Sequence, residues 1–268
     1  MTDSPPRITR RRLIAAAVGT AAHSLVVGPV AAHEGEDGDS DGDHSGGDHS
    51  NDDQLSAVTA ATEQYADPQA AMDDGYIPLG PFVPGMGWHF LNQGHVQSAV
   101  ENGFDPEQPQ LLTYGDTGAA CDGDLVLGAV EYAIPVGARG FDEESPPSIF
   151  DGDGGAWHVH HAAEHAFAVP AAGAEDVPDS AVDASTSTLF RTTNWIEVAP
   201  GGEPGSPMFE PGTALMADFE DGAEMDQRVV VESSVHPDLW TLHAWAHTEN
   251  PAGVFAPTNP DLPGSPED

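Results

Sequence analysis

Between Ala156 and His165 the chain reads Ala-Trp-His-Val-His-His-Ala-Ala-Glu-His. This places His158, His160, His161, Glu164 and His165 within eight residues of a protein that has 13 histidines. Neutral imidazoles and carboxylates are the donors that Zn, Cu(II), Fe and Mn take from proteins. Side chains on a strand alternate between faces, so His158 and His160 share one face and His161 takes the other. Two imidazoles arranged in this way offer two nitrogens to one ion. Glu164 then serves either as an oxygen ligand or as the partner that fixes a histidine tautomer. The competing reading of the same residues is a histidine-rich turn on an acidic surface.

A second carboxylate stands where carboxylates are costly. Leu125-Val126-Leu127-Gly128-Ala129-Val130-Glu131-Tyr132-Ala133-Ile134-Pro135 reads as a core strand, with Glu131 in its middle. A buried charge needs a compensating partner. There is no lysine, and Arg7, Arg10, Arg11 and Arg12 account for four of the seven basic residues, which leaves Arg139, Arg191 and Arg228. A metal or a histidine is therefore a better expected partner for Glu131 than an arginine. Two further histidines lie on other elements. His243 falls in Trp240–His247, which alternates Leu242, Ala244 and Ala246 on one face with Thr241, His243, Trp245 and His247 on the other. His89 lies in Met86-Gly87-Trp88-His89-Phe90, delivered by a loop rich in proline and glycine. His165 and His247 rank behind these, and His95 and His236 are read as incidental.

The elements that must position these residues follow from patterning. Leu55, Val58, Ala61 and Tyr65 recur at helical spacing, giving a helix over Leu55–Asp73 that Gly75 ends. Leu111–Tyr114, Leu125–Pro135, Ala166–Pro170, Leu189–Val198 and Trp240–His247 read as strands separated by Gly, Pro and Asp turns. The expected fold is mainly β, an antiparallel β-sandwich or barrel-like domain with an N-terminal helix and long acidic loops. It occupies 54–262 as a single domain, with 171–228 as a variable acidic insertion and 263–268 as a tail.

Residues 33–53 hold only Asp, Glu, Gly, Ser, His, Asn, Ala-free acidic sequence that cannot bury an apolar face, and read as a disordered linker. Residues 1–32 read as a targeting segment. Thr9-Arg10-Arg11-Arg12-Leu13-Ile14 resembles the twin-arginine export motif, apolar runs follow, and Val30-Ala31-Ala32 offers a cleavage site. The expected location is extracellular or cell-surface. The apolar run is broken by Gly19, His23 and Ser24, so no stable membrane anchor is expected.

A formal net charge of -38 with a pI near 4.1 argues against nucleic acid and anionic membrane surfaces as partners. Spread over the whole chain, it resembles the acidity of proteins from salt-loving archaea, where it keeps proteins hydrated and soluble. The lone Cys121 cannot form an intrachain disulfide and excludes sites that need several thiolates.

Two resemblances add to this reading. Gly152, His158-Val159-His160 and Glu164 are similar to the first half of a cupin pattern, whose later histidine after Pro-x-Gly is not present as written; His243 is the residue placed to supply it. More broadly, Gly85-Met86-Gly87-Trp88-His89-Phe90, Val130-Glu131-Tyr132, Trp157-His158-Val159-His160 and Leu242-His243-Ala244-Trp245 form a recurring series. With Asn250-Pro251-Ala252-Gly253-Val254-Phe255 and Asn259-Pro260, it resembles a family of uncharacterised exported proteins. That resemblance implies a site built from His89, Glu131, His158, His160 and His243, with no assigned reaction.

Together these residues give a metal set of His89, Glu131, His158, His160, His243 and Glu164, holding a divalent transition metal (Zn, Cu, Fe or Mn). The leading expectation is an exported metal-binding protein. One alternative is a metalloenzyme, a hydrolase or cupin-like oxygenase, with Glu131 or Glu164 as the base and a small-molecule substrate. Another is a non-metal structural or surface protein.

Overall fold

The structure is a computed structural model in which residues 49–118, 123–142, 144–170, 195–198, 207, 209–217 and 226–264 are described. The segment read as a twin-arginine signal, most of the stretch read as a linker, Cys121, and most of the stretch 171–228 lie outside these residues. The described residues fall within one unit spanning Asp43–Asp268.

Helix α1 (His49–Thr62) starts inside the stretch read as linker. A 3-10 turn (Glu63–Ala66) and helix α2 (Pro68–Asp73) follow. Pro68 splits what the periodicity joined into one helix: it sits at the first position of α2, and the Asp67 side chain caps that helix by accepting from Gln69 N–H. Strands β1 (Ile77–Val83) and β2 (Gly87–Leu91) come next, then helix α3 (Gln93–Asn102), which sequence patterning missed. Asn92 caps α3, its side chain accepting from His95 N–H.

Strands β3 (Leu111–Asp116), β4 (Leu125–Pro135), β5 (His158–His160) and β10 (Leu239–Ala244) complete an antiparallel six-stranded sheet ordered β1-β2-β3-β4-β10-β5. Register shifts in β1 and between Thr113 and Tyr114 of β3 interrupt the ladders. Such bulges add twist and bend to a sheet, and this one is curled. Strands β6 (Ala163–Pro170), β7 (Trp195–Val198), β8 (Ala214–Ala217) and β9 (Asp226–His236) form a second sheet ordered β7-β6-β9-β8. The fold is thus mainly β, with two antiparallel sheets and an N-terminal helix. The stretch read as an insertion contributes two strands and the start of a third to the second sheet.

Period-two alternation gives the six-stranded sheet two unlike faces. One buries Trp88, Phe90, Leu112, Tyr114, Val130, Tyr132, Ile134, Trp240 and Leu242 against the helices and the loop around Phe150. Tyr114 Oη–H donates to Tyr65 C=O of the 3-10 turn at 2.8 Å, which ties β3 to the helical layer. The other face carries His89, Thr113, Glu131, Thr241, His243 and His158. The second sheet approaches the rim of that face: His165 of β6 lies so close to Gly80 of β1 that a Cβ there would sit 3.0 Å from its Nδ1.

The chain passes between sheets at two places. From β5 to β6 it crosses through His161-Ala162, and from β9 to β10 through Pro237-Asp238. Asp238 braces the first crossing, its carboxylate accepting from Ala162 N–H at 2.6 Å. No helix among the described residues is long and apolar enough to cross a membrane.

Candidate metal centre

Three strands bring one side chain each to a common point. Glu131 of β4 and His243 of β10 are direct register partners, so their side chains leave the same face side by side. His89 comes from β2, two strands from β4, where it pairs with Thr113 of the intervening β3. Thr113 is small, and its hydroxyl turns to the β4 backbone, accepting from Ala129 N–H at 3.2 Å. The space above β3 is thus left to His89 and Glu131. Both His89 Nε2 and His243 Nε2 lie 3.6 Å from Glu131 Oε2.

Gly87 fixes the start of β2, two residues before His89. Its φ is +92°, and a Cβ there would come within 2.3 Å of Tyr114 C=O, so only glycine fits. At the preceding turn, Asn259 N–H donates to Gly85 C=O at 2.7 Å. Asn259 is fully buried, and the C-terminal segment thereby clamps the loop that delivers His89. On the far side, Trp245 Nε1–H donates to Ala256 C=O at 2.7 Å, anchoring the same segment to the end of β10.

The polar atoms at this point lack ordinary partners. Glu131 Oε2 and both ring nitrogens of His243 are buried without a hydrogen bond, and separations of 3.6 Å are too long to count as one. Native cores leave few such atoms, and each calls for an explanation. Burial pushes the Glu131 carboxyl up to about 8. It pushes His89 down to about 4, helped by His160 and opposed by a hydrogen bond to the Gly87 backbone. His243 is driven well below its ordinary value by burial, then by His89, His158 and His160. At neutral pH both imidazoles are therefore uncharged and hold a lone pair for a ligand.

The three donors could hold a metal ion, their ligand atoms all lying within 4.8 Å of one another. With metal–ligand bonds of about 2.1 Å, donors 3.6 Å apart subtend roughly 118° at the ion, between tetrahedral and trigonal. Two neutral nitrogens and one carboxylate oxygen match Zn, Fe, Mn or Cu(II) and leave a coordination position.

Comparison with protein-family models, with curated proteins and with solved structures gives no match. The reading of the centre rests on its own geometry.

The other expected ligands lie apart from these three. His158 stacks on His243, ring centroids 5.9 Å apart and 8° from parallel. Its Nε2 meets Thr241 Oγ1 at 3.1 Å, and its Nδ1–H donates to Ala156 C=O at 3.2 Å. Both nitrogens are engaged, so His158 walls the centre as a packed neighbour. His160 points to a second group with His165 and His236. Glu164 is fully buried on β6, where alternation turns it to the opposite face from His165. There its Oε1 accepts from Phe209 N–H at 2.8 Å and Ser233 Oγ–H at 2.6 Å.

Among the remaining histidines, His161 is exposed beside Asp238, 3.7 Å away. His247 meets Thr62 Oγ1 at 2.7 Å, joining β10's end to α1. His95 Nδ1–H donates to Pro109 C=O at 2.8 Å.

Sequence reasoning missed one positioning residue. Buried Asp153 accepts from Ile149 N–H, Phe150 N–H, Ser148 Oγ–H and Trp157 Nε1–H at 2.7–3.1 Å, setting the loop that enters β5. Its signal was the tryptophan four residues on, a buried donor in need of an acceptor.

Proposed function

We propose that this is an exported metal-binding protein that holds one divalent transition-metal ion through His89, Glu131 and His243. The observation that carries the reading is the buried, unbonded set of Glu131 Oε2 and the two His243 nitrogens, with His89 Nε2 at the same carboxylate oxygen. An ion satisfies Glu131 Oε2, His89 Nε2 and His243 Nε2 at once, whereas a proton shared at 3.6 Å satisfies none. Deep burial of Glu131 and His243 suits retention of an ion, in storage, delivery or sensing. Export rests on the Arg10-Arg11 motif and its apolar run, and membership of the uncharacterised exported family rests on the order of the motifs that carry these residues.

A metalloenzyme is the second reading. It is favoured by the count of three protein donors, since catalytic zinc sites keep three ligands and leave a position for water. In that case Glu131 is a ligand and the base comes from elsewhere, because Glu164 is held on the other face of the second sheet.

The test is metal analysis of protein purified without a histidine tag. About one equivalent lost in both His89→Ala and His243→Ala supports the reading. Protein that is metal-free as purified and takes up none on titration overturns it and favours a non-metal structural role.

A further inference from the structure

The two crossings between sheets bring a second set of imidazoles together. His160 ends β5 just before the chain leaves the six-stranded sheet, and His165 lies on β6 just after it arrives in the other. His236 ends β9 just before the chain returns. Register explains the convergence: His160 pairs with Leu239 at the start of β10, and Ala163 pairs with His236. Their donor nitrogens all lie within 4.8 Å of one another. The rings pack closely, with His160–His236 centroids 5.0 Å apart and His165–His236 centroids 5.3 Å apart.

We propose that His160, His165 and His236 form a second metal site, an all-imidazole one that takes a late first-row divalent ion, copper(II) above zinc. Three neutral nitrogens with no carboxylate favour the upper end of the divalent affinity order, where copper(II) stands. The tautomer is prepared: His236 Nδ1–H donates to Pro237 C=O at 2.8 Å, which keeps the lone pair on Nε2. A backbone carbonyl on the far ring nitrogen is the usual support of a metal-bound histidine. Gly80 on β1 gives the His165 ring its room; any side chain there would meet it.

The site is graded in exposure. His160 is exposed, His236 half-buried and His165 buried, so an ion has access from solvent and a fixed inner ligand. It differs in this from the other centre, where Glu131 and His243 are both buried.

The two sites are separated by titrating copper(II), and in parallel zinc, into the untagged full chain in molar salt with a competing chelator. Calorimetry gives the stoichiometry and electron paramagnetic resonance the copper ligands. The expected result is one equivalent fewer for His160→Ala and for His236→Ala than for the parent, with a copper signal of three nitrogens lost in both. His160 is exposed, so its variant folds whatever the fate of the His236 variant. Unchanged stoichiometry and an unchanged nitrogen signal in His160→Ala overturn the second site. Loss in His243→Ala alone leaves only the buried centre, and loss in the His160 and His236 variants alone leaves only the second site.

Discussion

The two faces of the six-stranded sheet are built from the same strands and do opposite things. On one face Phe90, Tyr114, Tyr132 and Leu242 are fully buried among aromatic neighbours, every polar tip tied to a backbone carbonyl where it has one: Tyr132 Oη–H reaches Pro106 C=O at 2.6 Å. On the other face, one residue away on each strand, His89, Glu131 and His243 meet, with Glu131 Oε2 and both His243 nitrogens unspent. Period-two alternation separates a face that stabilises from a face that stores unsatisfied polarity. A fold tolerates such polarity only when the first face supplies the stability that the second withholds, or when a ligand completes it.

Variants on the two faces should therefore differ in sign as well as size. Phe90→Ala empties a packed aromatic site and should cost about 3–5 kcal/mol in chemical denaturation. Metal stoichiometry, measured at low denaturant on the folded fraction, should stay that of the parent. A large loss of binding with little loss of stability would break the division between faces.

Glu131→Gln should act the other way in metal-free protein. The folded carboxyl titrates near 8, above its ordinary 4.5. Its contribution is therefore fully present below about pH 4.5 and is lost as pH rises through 8. The glutamine variant lacks this loss and should exceed the parent by roughly 2–4 kcal/mol above pH 8, while no longer holding metal at the buried centre. His89 works at the acid end. Its folded value near 4 lies below the ordinary 6.5, so its contribution is present above pH 6.5 and fades as pH falls through 4. Denaturation across pH 4–9 with and without chelator checks both slopes. A parent insensitive to pH between 5 and 9 would mean that Glu131 is not held as described.

Thr241→Val removes the hydroxyl that meets His158 Nε2 and should cost about 1 kcal/mol. It also frees a nitrogen beside His243. If metal affinity at the buried centre rises, His158 has become a fourth ligand; unchanged affinity keeps it as a wall. The smallest effect belongs to His161→Ala, an exposed residue beside Asp238, with a stability change within about 0.5 kcal/mol and no change in metal content.

Much of this was legible in the strands. Glu131 in an apolar run with almost no arginine to serve it pointed to a metal or a histidine partner; the motif resemblance named His89 and His243, and the register of β4 and β10 sets His243 beside Glu131. The dense cluster at 158–165 misled, for a physical reason. Its residues lie on two sheets: the chain leaves one at His161-Ala162 and enters the other, and strand periodicity carries no mark of that exchange. His158 was spent on Thr241 and Ala156, His160 and His165 went to the crossing, and Glu164 turned to another face. His236 was passed over because no motif surrounds it, although Pro237-Asp238 between two strand-like runs is a turn signal that would have placed it at a strand end. Strand β9 was hidden by its polar residues, which suit a sheet whose pairing, rather than an apolar run, defines it.

Anomalous diffraction from crystals of the untagged protein loaded with zinc or copper tests the central claim most directly. The expected result is a peak about 2 Å from Glu131 Oε2 and from one nitrogen each of His89 and His243. Crystals in which every anomalous peak lies away from these three residues, with Glu131 still within 3.6 Å of both rings, would contradict it.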